Sequence, residues 1–132
     1  MVTLSSAILC LSMAVYMEAR GEPQMAQRAV AHVVLNRSKQ KNKSVCEVVT
    51  EPNQFSWVKG KTGPRPTEYE AWIRATDIAS NVIDGQSKDP TKGANHFWNH
   101  TLVKPLWSNS CSSMRILGNH AFCGINTEKR ST

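Results

Sequence analysis

The sequence lacks the short motifs that mark most cofactor-dependent and metal-dependent enzymes. It has no P-loop, no dinucleotide fingerprint, no G-x-S-x-G nucleophile motif and no H-E-x-x-H zinc motif. The histidines His96, His100 and His120 follow no metal-ligand series. We therefore predict an activity that needs neither a metal ion nor a cofactor.

An export signal and an apolar run long enough to span a membrane are also missing. No Lys or Arg occurs before Arg20, and serines interrupt the apolar stretch from Met1 to Tyr16. That stretch is too short for a transmembrane helix. We expect it to fold as a helix, in a protein made in the cytoplasm without an export signal of its own.

Cysteines at metal-binding or redox spacing are absent as well. Cys10, Cys46, Cys111 and Cys123 lie far apart, and the sequence does not rank their possible disulfide pairings. We expect buried free thiols, which behave as small apolar side chains.

The composition is that of a small, basic, folded protein. Its 132 residues suffice for a single domain, 1–132, and its hydrophobic content is 40%. Lys and Arg outnumber Asp and Glu by 16 to 10, which gives a net charge of +6. This surplus favours a polyanionic partner, whether nucleic acid, an anionic membrane or a bacterial envelope.

The first half of the chain has the apolar periodicity of helices. The spacing predicts amphipathic helices over about 4–19 and 23–38, separated by Gly21, and a short third helix over 45–49. Two prolines and two glycines predict a loop over 51–65.

The second half changes character. Thr67 and Glu70 form a capping-box pattern, which predicts a helix that runs to Asp84 and is closed by Gly85. Alternating polar and apolar residues then predict short strands over 95–99 and 120–123. The expected class is α+β, with helices first and a small β-rich lobe after them.

Glu18 is the strongest candidate for chemistry. It lies three residues after Val15, at the C-terminal end of the first apolar stripe. Burial raises the pKa of a carboxyl group in such a place, as a general acid working near neutral pH requires. The alternative is a structural ion pair with Arg20 or Arg37, and for Glu22 we expect a capping role or an arginine partner.

Two segments combine flat aromatic faces with hydrogen-bonding groups: Gln54, Ser56 and Trp57 in the loop, and His96, Trp98 and Asn99 in the first predicted strand. Sugars present an apolar ring face and many hydroxyl groups, so this mixture suits a glycan. It also suits single-stranded nucleic acid, and each aromatic residue taken alone could be ordinary core.

Six segments, in this order, resemble the SleB-type cell-wall hydrolase family of spore-cortex-lytic enzymes. They are residues 15–23, which contain Glu18-Ala19-Arg20-Gly21-Glu22, and residues 29–37, 45–49, 54–57, 93–99 and 118–122. The resemblance covers nearly the whole chain. Asn95 stands where the family usually has Thr and Trp98 where Tyr is common, and these departures bear on subsite preference.

The resemblance implies a mainly helical, lysozyme-like, two-lobed domain that acts as a lytic transglycosylase on peptidoglycan. It implies that Glu18 is the catalytic residue. The substrate-binding residues that it suggests are Gln54, Ser56, Trp57, His96, Trp98, Asn99 and His120. Bacterial members usually carry a signal or a wall-binding module, so a bare basic domain resembles a monomeric phage endolysin that acts on the anionic bacterial envelope and binds no nucleic acid.

A lytic transglycosylase needs one carboxyl group, whereas glycosidases pair two. No second acidic residue lies in an obvious cleft segment, which favours transglycosylation. A hydrolytic muramidase that uses Glu22 or Glu68 remains an alternative. So do two readings without catalysis: a peptidoglycan-binding module and a basic nucleic-acid-binding domain.

Overall fold

The structure is a computed structural model that describes residues 5–52, 54–58 and 64–125. Its larger part is helical: α1 (Ser6–Ala19), α2 (Gln24–Lys41), α3 (Val45–Val49) and α4 (Tyr69–Ile83). Buried Leu11 and Val15 place α1 in the core shared with the other three helices. All four helices are predicted from the sequence, and no described helix is long and apolar enough to cross a membrane.

The helix ends differ from the prediction in small ways. Leu4, the expected first residue of α1, lies outside the described residues. Ser5 is the N-cap of α1, and its hydroxyl accepts the backbone N–H of Ile8 at 3.2 Å. α2 runs three residues beyond the predicted end at Ser38, to Lys41. Its C-cap is Asn42, which has a left-handed φ of 53°.

The predicted capping box of α4 is wrong. Glu68 is the N-cap, and no side chain caps the helix. The buried Tyr16 hydroxyl instead accepts the backbone N–H groups of Thr67, at 3.1 Å, and Glu68, at 3.0 Å. A capping box does occur at α3, between Ser44 and Glu47. A tertiary contact from Tyr16 therefore binds the backbone N–H groups at the start of α4, where the local pattern had predicted a cap by the Thr67 side chain.

The β-rich lobe is an antiparallel sheet of β1 (His96–Asn99), β2 (Ser113–Leu117) and β3 (His120–Gly124), in the order β1-β3-β2. A 3₁₀ helix, Leu106–Ser110, precedes β2. Phe122 of β3 packs with Ala19 and Val30, so one face of the sheet covers the end of α1 and the middle of α2. The predicted α+β class with a small β lobe is confirmed.

The sequence analysis missed β2. This strand is a mostly exposed edge, so burial imposes little alternation on its residues. The available signal was the dipeptide Gly118-Asn119 between two short runs, which is typical of a two-residue hairpin loop. Gly118 has a φ of +61°, and a Cβ atom there would lie 2.5 Å from Glu22 Oε1.

The expectation of free thiols is also wrong. One disulfide, Cys10–Cys46, joins α1 to α3, and a second, Cys111–Cys123, joins the segment before β2 to β3. The partners are 36 and 12 residues apart, and no local motif connects them. Packing of the elements alone decides these pairings.

Candidate active site

Glu18 lies in the last turn of α1, one residue before the helix ends. Its side chain is half-buried, whereas that of the next residue, Ala19, is fully buried. Gly21 takes a left-handed φ of +88° and turns the chain toward α2. The carboxyl group therefore stands at a helix end, where the loop after α3 and the sheet both reach it.

Trp57 binds the Glu18 carboxyl group directly. Its indole Nε1–H donates to Glu18 Oε2 at 2.8 Å. The indole also stacks on the buried ring of Phe55, with 5.4 Å between centroids. The loop after α3 thus presents a hydrogen-bond donor, held by stacking, to a residue 39 positions earlier.

His120 approaches Glu18 from the sheet. Its Nε2 lies 2.9 Å from the backbone oxygen of Glu18, and because a carbonyl oxygen only accepts, Nε2 carries the proton. The other ring nitrogen, Nδ1, is buried and has no hydrogen-bond partner in the described part of the chain. His120 therefore fixes the end of α1 and keeps one nitrogen unused.

Phe97 connects the two sides of this site and was not among the predicted site residues. Its ring contacts His120, at 5.5 Å between centroids, and Phe55, at 6.5 Å. Successive side chains of a strand point to opposite faces of the sheet. The sequence could therefore have shown that Phe97 faces the opposite side from its neighbours His96 and Trp98.

Burial raises the pKa of Glu18 above its ordinary value, while the Trp57 hydrogen bond and the charge of His120 partly oppose the shift. A raised pKa favours the protonated acid. The structural alternative for Glu18 is wrong, because neither arginine pairs with it. Arg20 binds Glu68 at 2.7 Å, and Arg37 donates to a backbone oxygen at 2.6 Å.

Glu22 does not serve as a cap or an arginine partner, as the sequence had suggested. Its carboxylate accepts the backbone N–H of Asn119 at 2.7 Å and the Asn119 side-chain amide at 3.1 Å. These bonds tie the turn between α1 and α2 to the hairpin of β2 and β3. The Glu22 carboxylate therefore links the helical part of the fold to the β lobe.

The other described carboxylates are placed elsewhere in the fold. Glu51 binds two lysines, Glu68 binds Arg20 and Glu47 caps α3. Asp89 organises the loop before β1 by accepting from Asn36 and from Thr91. The remaining three, Glu70, Asp77 and Asp84, belong to α4 or its C-cap. Glu128 lies outside the described residues.

The predicted substrate-binding residues do not all converge. Trp57 and His120 meet at Glu18, as described above. Gln54 and His96 line a separate groove of about 240 Å³ together with Arg37. Two of the predicted residues thus contact the acid, and two more share one cavity.

The other three predicted residues have different surroundings. Trp98 packs edge-on against Trp107 of the 3₁₀ helix, with 5.3 Å between centroids. Asn99 accepts the backbone N–H of Thr101 at 2.9 Å and so shapes the turn after β1. Ser56 is exposed beside the aromatic loop. A binding role for these three stays a prediction.

A groove of about 660 Å³ lies away from Glu18. It lies between α2 and α4, and its charged lining residues are Arg28, Arg74, Glu70 and Asp77. At Glu18, in contrast, a half-buried acid meets the Trp57 donor, and the Nδ1 atom of the adjacent His120 has no partner among the described residues. The described residues contain no group of three His, Cys, Asp or Glu side chains that could hold a metal ion.

The chain belongs to the cell wall hydrolase family, whose model matches residues 21–123. Curated relatives include the spore cortex-lytic enzymes of Halalkalibacterium halodurans and Bacillus subtilis, each 34% identical over 119 residues, or 88% of this chain. The chain spans about a third of the length of these relatives, 34% and 37%.

Two solved structures are similar to this fold. One is the catalytic domain of the germination-specific lytic transglycosylase SleB from Bacillus anthracis, with a TM-score of 0.71 and 29% identity. The likeness covers 92% of this chain and 96% of that domain. The catalytic domain of the Bacillus cereus SleB protein has a TM-score of 0.70 and 30% identity, with 92% of each chain covered. The family that the sequence resembles is therefore confirmed.

Proposed function

We propose that this chain is a peptidoglycan lytic transglycosylase with Glu18 as its single catalytic carboxyl group. It cleaves the bond between N-acetylmuramic acid and N-acetylglucosamine. Family membership and the likeness to a domain described as a lytic transglycosylase support the reaction class. The observation that carries the assignment is the half-buried Glu18, with its raised pKa and its bond to Trp57.

The mechanism uses the Glu18 carboxyl group twice, first as an acid and then as a base. Protonated Glu18 first donates to the bridging oxygen as the bond from muramic acid C1 to that oxygen breaks. The resulting carboxylate then accepts the proton of the muramoyl C6 hydroxyl, whose oxygen bonds to C1 and closes a 1,6-anhydro ring. No water is consumed, and Glu18 ends protonated. The Trp57 N–H stabilises the intermediate carboxylate.

A muramidase mechanism would need a second carboxylate across the sugar ring or a positioned water. Glu22 and Glu68 were the candidates for that role. Glu22 accepts two hydrogen bonds from Asn119, and Glu68 is paired with Arg20. Their engagement favours transglycosylation over hydrolysis.

Readings without catalysis explain Glu18 less well. A glycan-binding module has no use for a desolvated acid, and a carboxylate at the site opposes nucleic-acid phosphates. The two disulfides suit a protein that works outside the reducing cytoplasm, as wall cleavage requires. A single catalytic domain, a monomeric state and a phage endolysin role stay predictions.

The test is mass spectrometry of purified peptidoglycan digested by the wild type and by Glu18→Gln. We expect muropeptides that end in 1,6-anhydromuramic acid, lighter by one water than hydrolysed ends. Glu18→Gln should lose about 10²–10⁴-fold in rate, the usual contribution of general acid catalysis. Glu68→Gln is the matched control, since it changes an exposed, paired carboxylate, and it should retain activity.

Three results would overturn the assignment. Reducing muramic acid ends would make the protein a muramidase. Release of stem peptides without glycan cleavage would make it an amidase. Near-normal turnover by Glu18→Gln would remove Glu18 from the chemistry.

A further inference from the structure

The β lobe carries an unusual concentration of exposed apolar side chains. Six of the ten large hydrophobic residues that are exposed in the described chain lie between residues 102 and 116. We call them the outer apolar patch: Leu102 (76% exposed), Val103 (58%), Leu106 (91%), Trp107 (38%), Met114 (57%) and Ile116 (53%). The other four are spread over α1, α2 and α4. A concentration of this kind marks an interaction surface.

The part of the patch that lies on the sheet faces away from Glu18, with Val103 beside Ile116 and Trp107 against Trp98. The strand register puts Met114 and Ile116 of β2 on the same face as Trp98 of β1. The opposite face carries Phe122, which packs on the helices, and His120, which binds Glu18. A partner bound to the outer apolar patch would therefore leave the acid accessible.

The chain segment that carries the patch has charged side chains of one sign only. No Asp or Glu occurs anywhere between residues 90 and 125, whereas Lys92, Lys104 and Arg115 do. Lys104 lies between Val103 and Leu106 and lines the same 260 Å³ groove as Val103 and Ile116. None of the three cations forms an ion pair within the described residues. Arg115 lies on the opposite face of the sheet from Met114 and Ile116, so Lys104 is the cation that the patch residues surround.

We propose that the outer apolar patch docks this protein on an anionic lipid bilayer. Burial of aliphatic side chains such as Leu106 at the boundary of the acyl chains is favourable, and a Trp side chain suits the membrane–water interface. The Lys104 ammonium group would bind lipid phosphates. A glycan would call for flat aromatic platforms and many hydrogen-bonding groups, but most of this patch is aliphatic. The proposal does not depend on the catalytic assignment.

The experiment is co-sedimentation with vesicles of equal parts phosphatidylglycerol and phosphatidylcholine, compared with pure phosphatidylcholine. The wild type should bind the anionic vesicles and lose binding as salt rises, because screening weakens the charge attraction. Leu102→Ser combined with Leu106→Ser should weaken binding by about tenfold or more for each leucine that inserts. Lys104→Glu should weaken binding to the anionic vesicles selectively.

Two controls separate this proposal from the catalytic one. Tyr69→Ser removes a ring that is 76% exposed on α4 and should bind vesicles normally. The Leu102→Ser and Leu106→Ser double variant should cleave lipid-free peptidoglycan at the wild-type rate, and Glu18→Gln should bind vesicles like the wild type.

The proposal is overturned if the wild type does not bind anionic vesicles, or if the double variant binds them as tightly as the wild type does. It is also overturned if the folded double variant loses activity on lipid-free peptidoglycan but keeps vesicle binding, since the patch would then be a glycan subsite. A dimer in light scattering that the double variant abolishes would assign the patch to a second copy of the chain.

Discussion

The Trp57→Phe substitution separates the hydrogen-bonding role of Trp57 from its packing role. In the structure the indole Nε1–H donates to Glu18 Oε2 at 2.8 Å, while the ring stacks on Phe55. Phenylalanine keeps an aromatic ring for the stack but has no N–H donor. The substitution therefore removes the only side-chain hydrogen bond that the structure gives to the Glu18 carboxyl group.

The size of the effect follows from this bond. A hydrogen bond to a charged group contributes about 1.5–3 kcal/mol, and we take the lower end because Glu18 is only half-buried. Because this bond stabilises the carboxylate form of Glu18, loss of the donor should raise the pKa of Glu18. The Trp57 bond lowers this pKa in the wild type, so the direction is fixed.

The assay is the pH dependence of kcat/KM on solubilised peptidoglycan. Activity requires protonated Glu18, so its alkaline limb reports the pKa of Glu18 in the free enzyme. We expect this limb to move to higher pH in Trp57→Phe. Trp107→Phe on the outer face is the control and should leave the limb in place. An alkaline limb that stays put or moves to lower pH in Trp57→Phe would refute the reasoning.

Three further predictions concern stability. The pKa of Glu18 is higher in the folded state than its ordinary value of 4.5. Protonation of Glu18 therefore stabilises the fold at pH values below 4.5, and this stabilisation is lost as the pH rises through the folded-state pKa. Thermal melts should therefore show Glu18→Gln at least as stable as the wild type at pH 7, with the advantage gone below pH 4.5; a variant less stable at pH 7 would contradict it. Replacing Cys10 and Cys46 by Ala should cost about 4 kcal/mol in urea unfolding if loop entropy dominates, and an unchanged midpoint would contradict the pairing. Gly118→Ala should destabilise the fold by about 1–3 kcal/mol through its left-handed φ and the close Glu22 carboxylate, and the loss should shrink in a Glu22→Ala background, or the clash is not its cause.

Local patterns in the sequence determined the helices and the candidate acid. The apolar residues of α1 and α2 recur at helical spacing, which indicates the buried face of each helix. Both helices and the inward direction of Glu18 could therefore be predicted. The ordered segments also identified the family, because turns and core positions recur in a fixed order. These features depend on neighbours within a few residues, which a sequence displays directly.

Only the tertiary structure decided how distant residues meet. The Trp57 donor reaches Glu18 across 39 positions, and His120 reaches its backbone across 102. The Tyr16 hydroxyl replaced the local cap at α4, and Glu22 found Asn119 where an arginine was expected. Packing places such groups within hydrogen-bond range, and nothing in the spacing of the residues along the chain encodes the contact.

The same reason explains the cysteines and β2. Disulfide pairing depends on which helix ends and strands lie within a few ångströms of one another, which composition does not show. An exposed edge strand such as β2 gains its conformation from the backbone hydrogen bonds of β3, and its own side chains specify it weakly. The sequence by itself therefore determined the candidate acid and the helix that carries it, while the folded chain alone decided which groups surround Glu18 and shift its pKa.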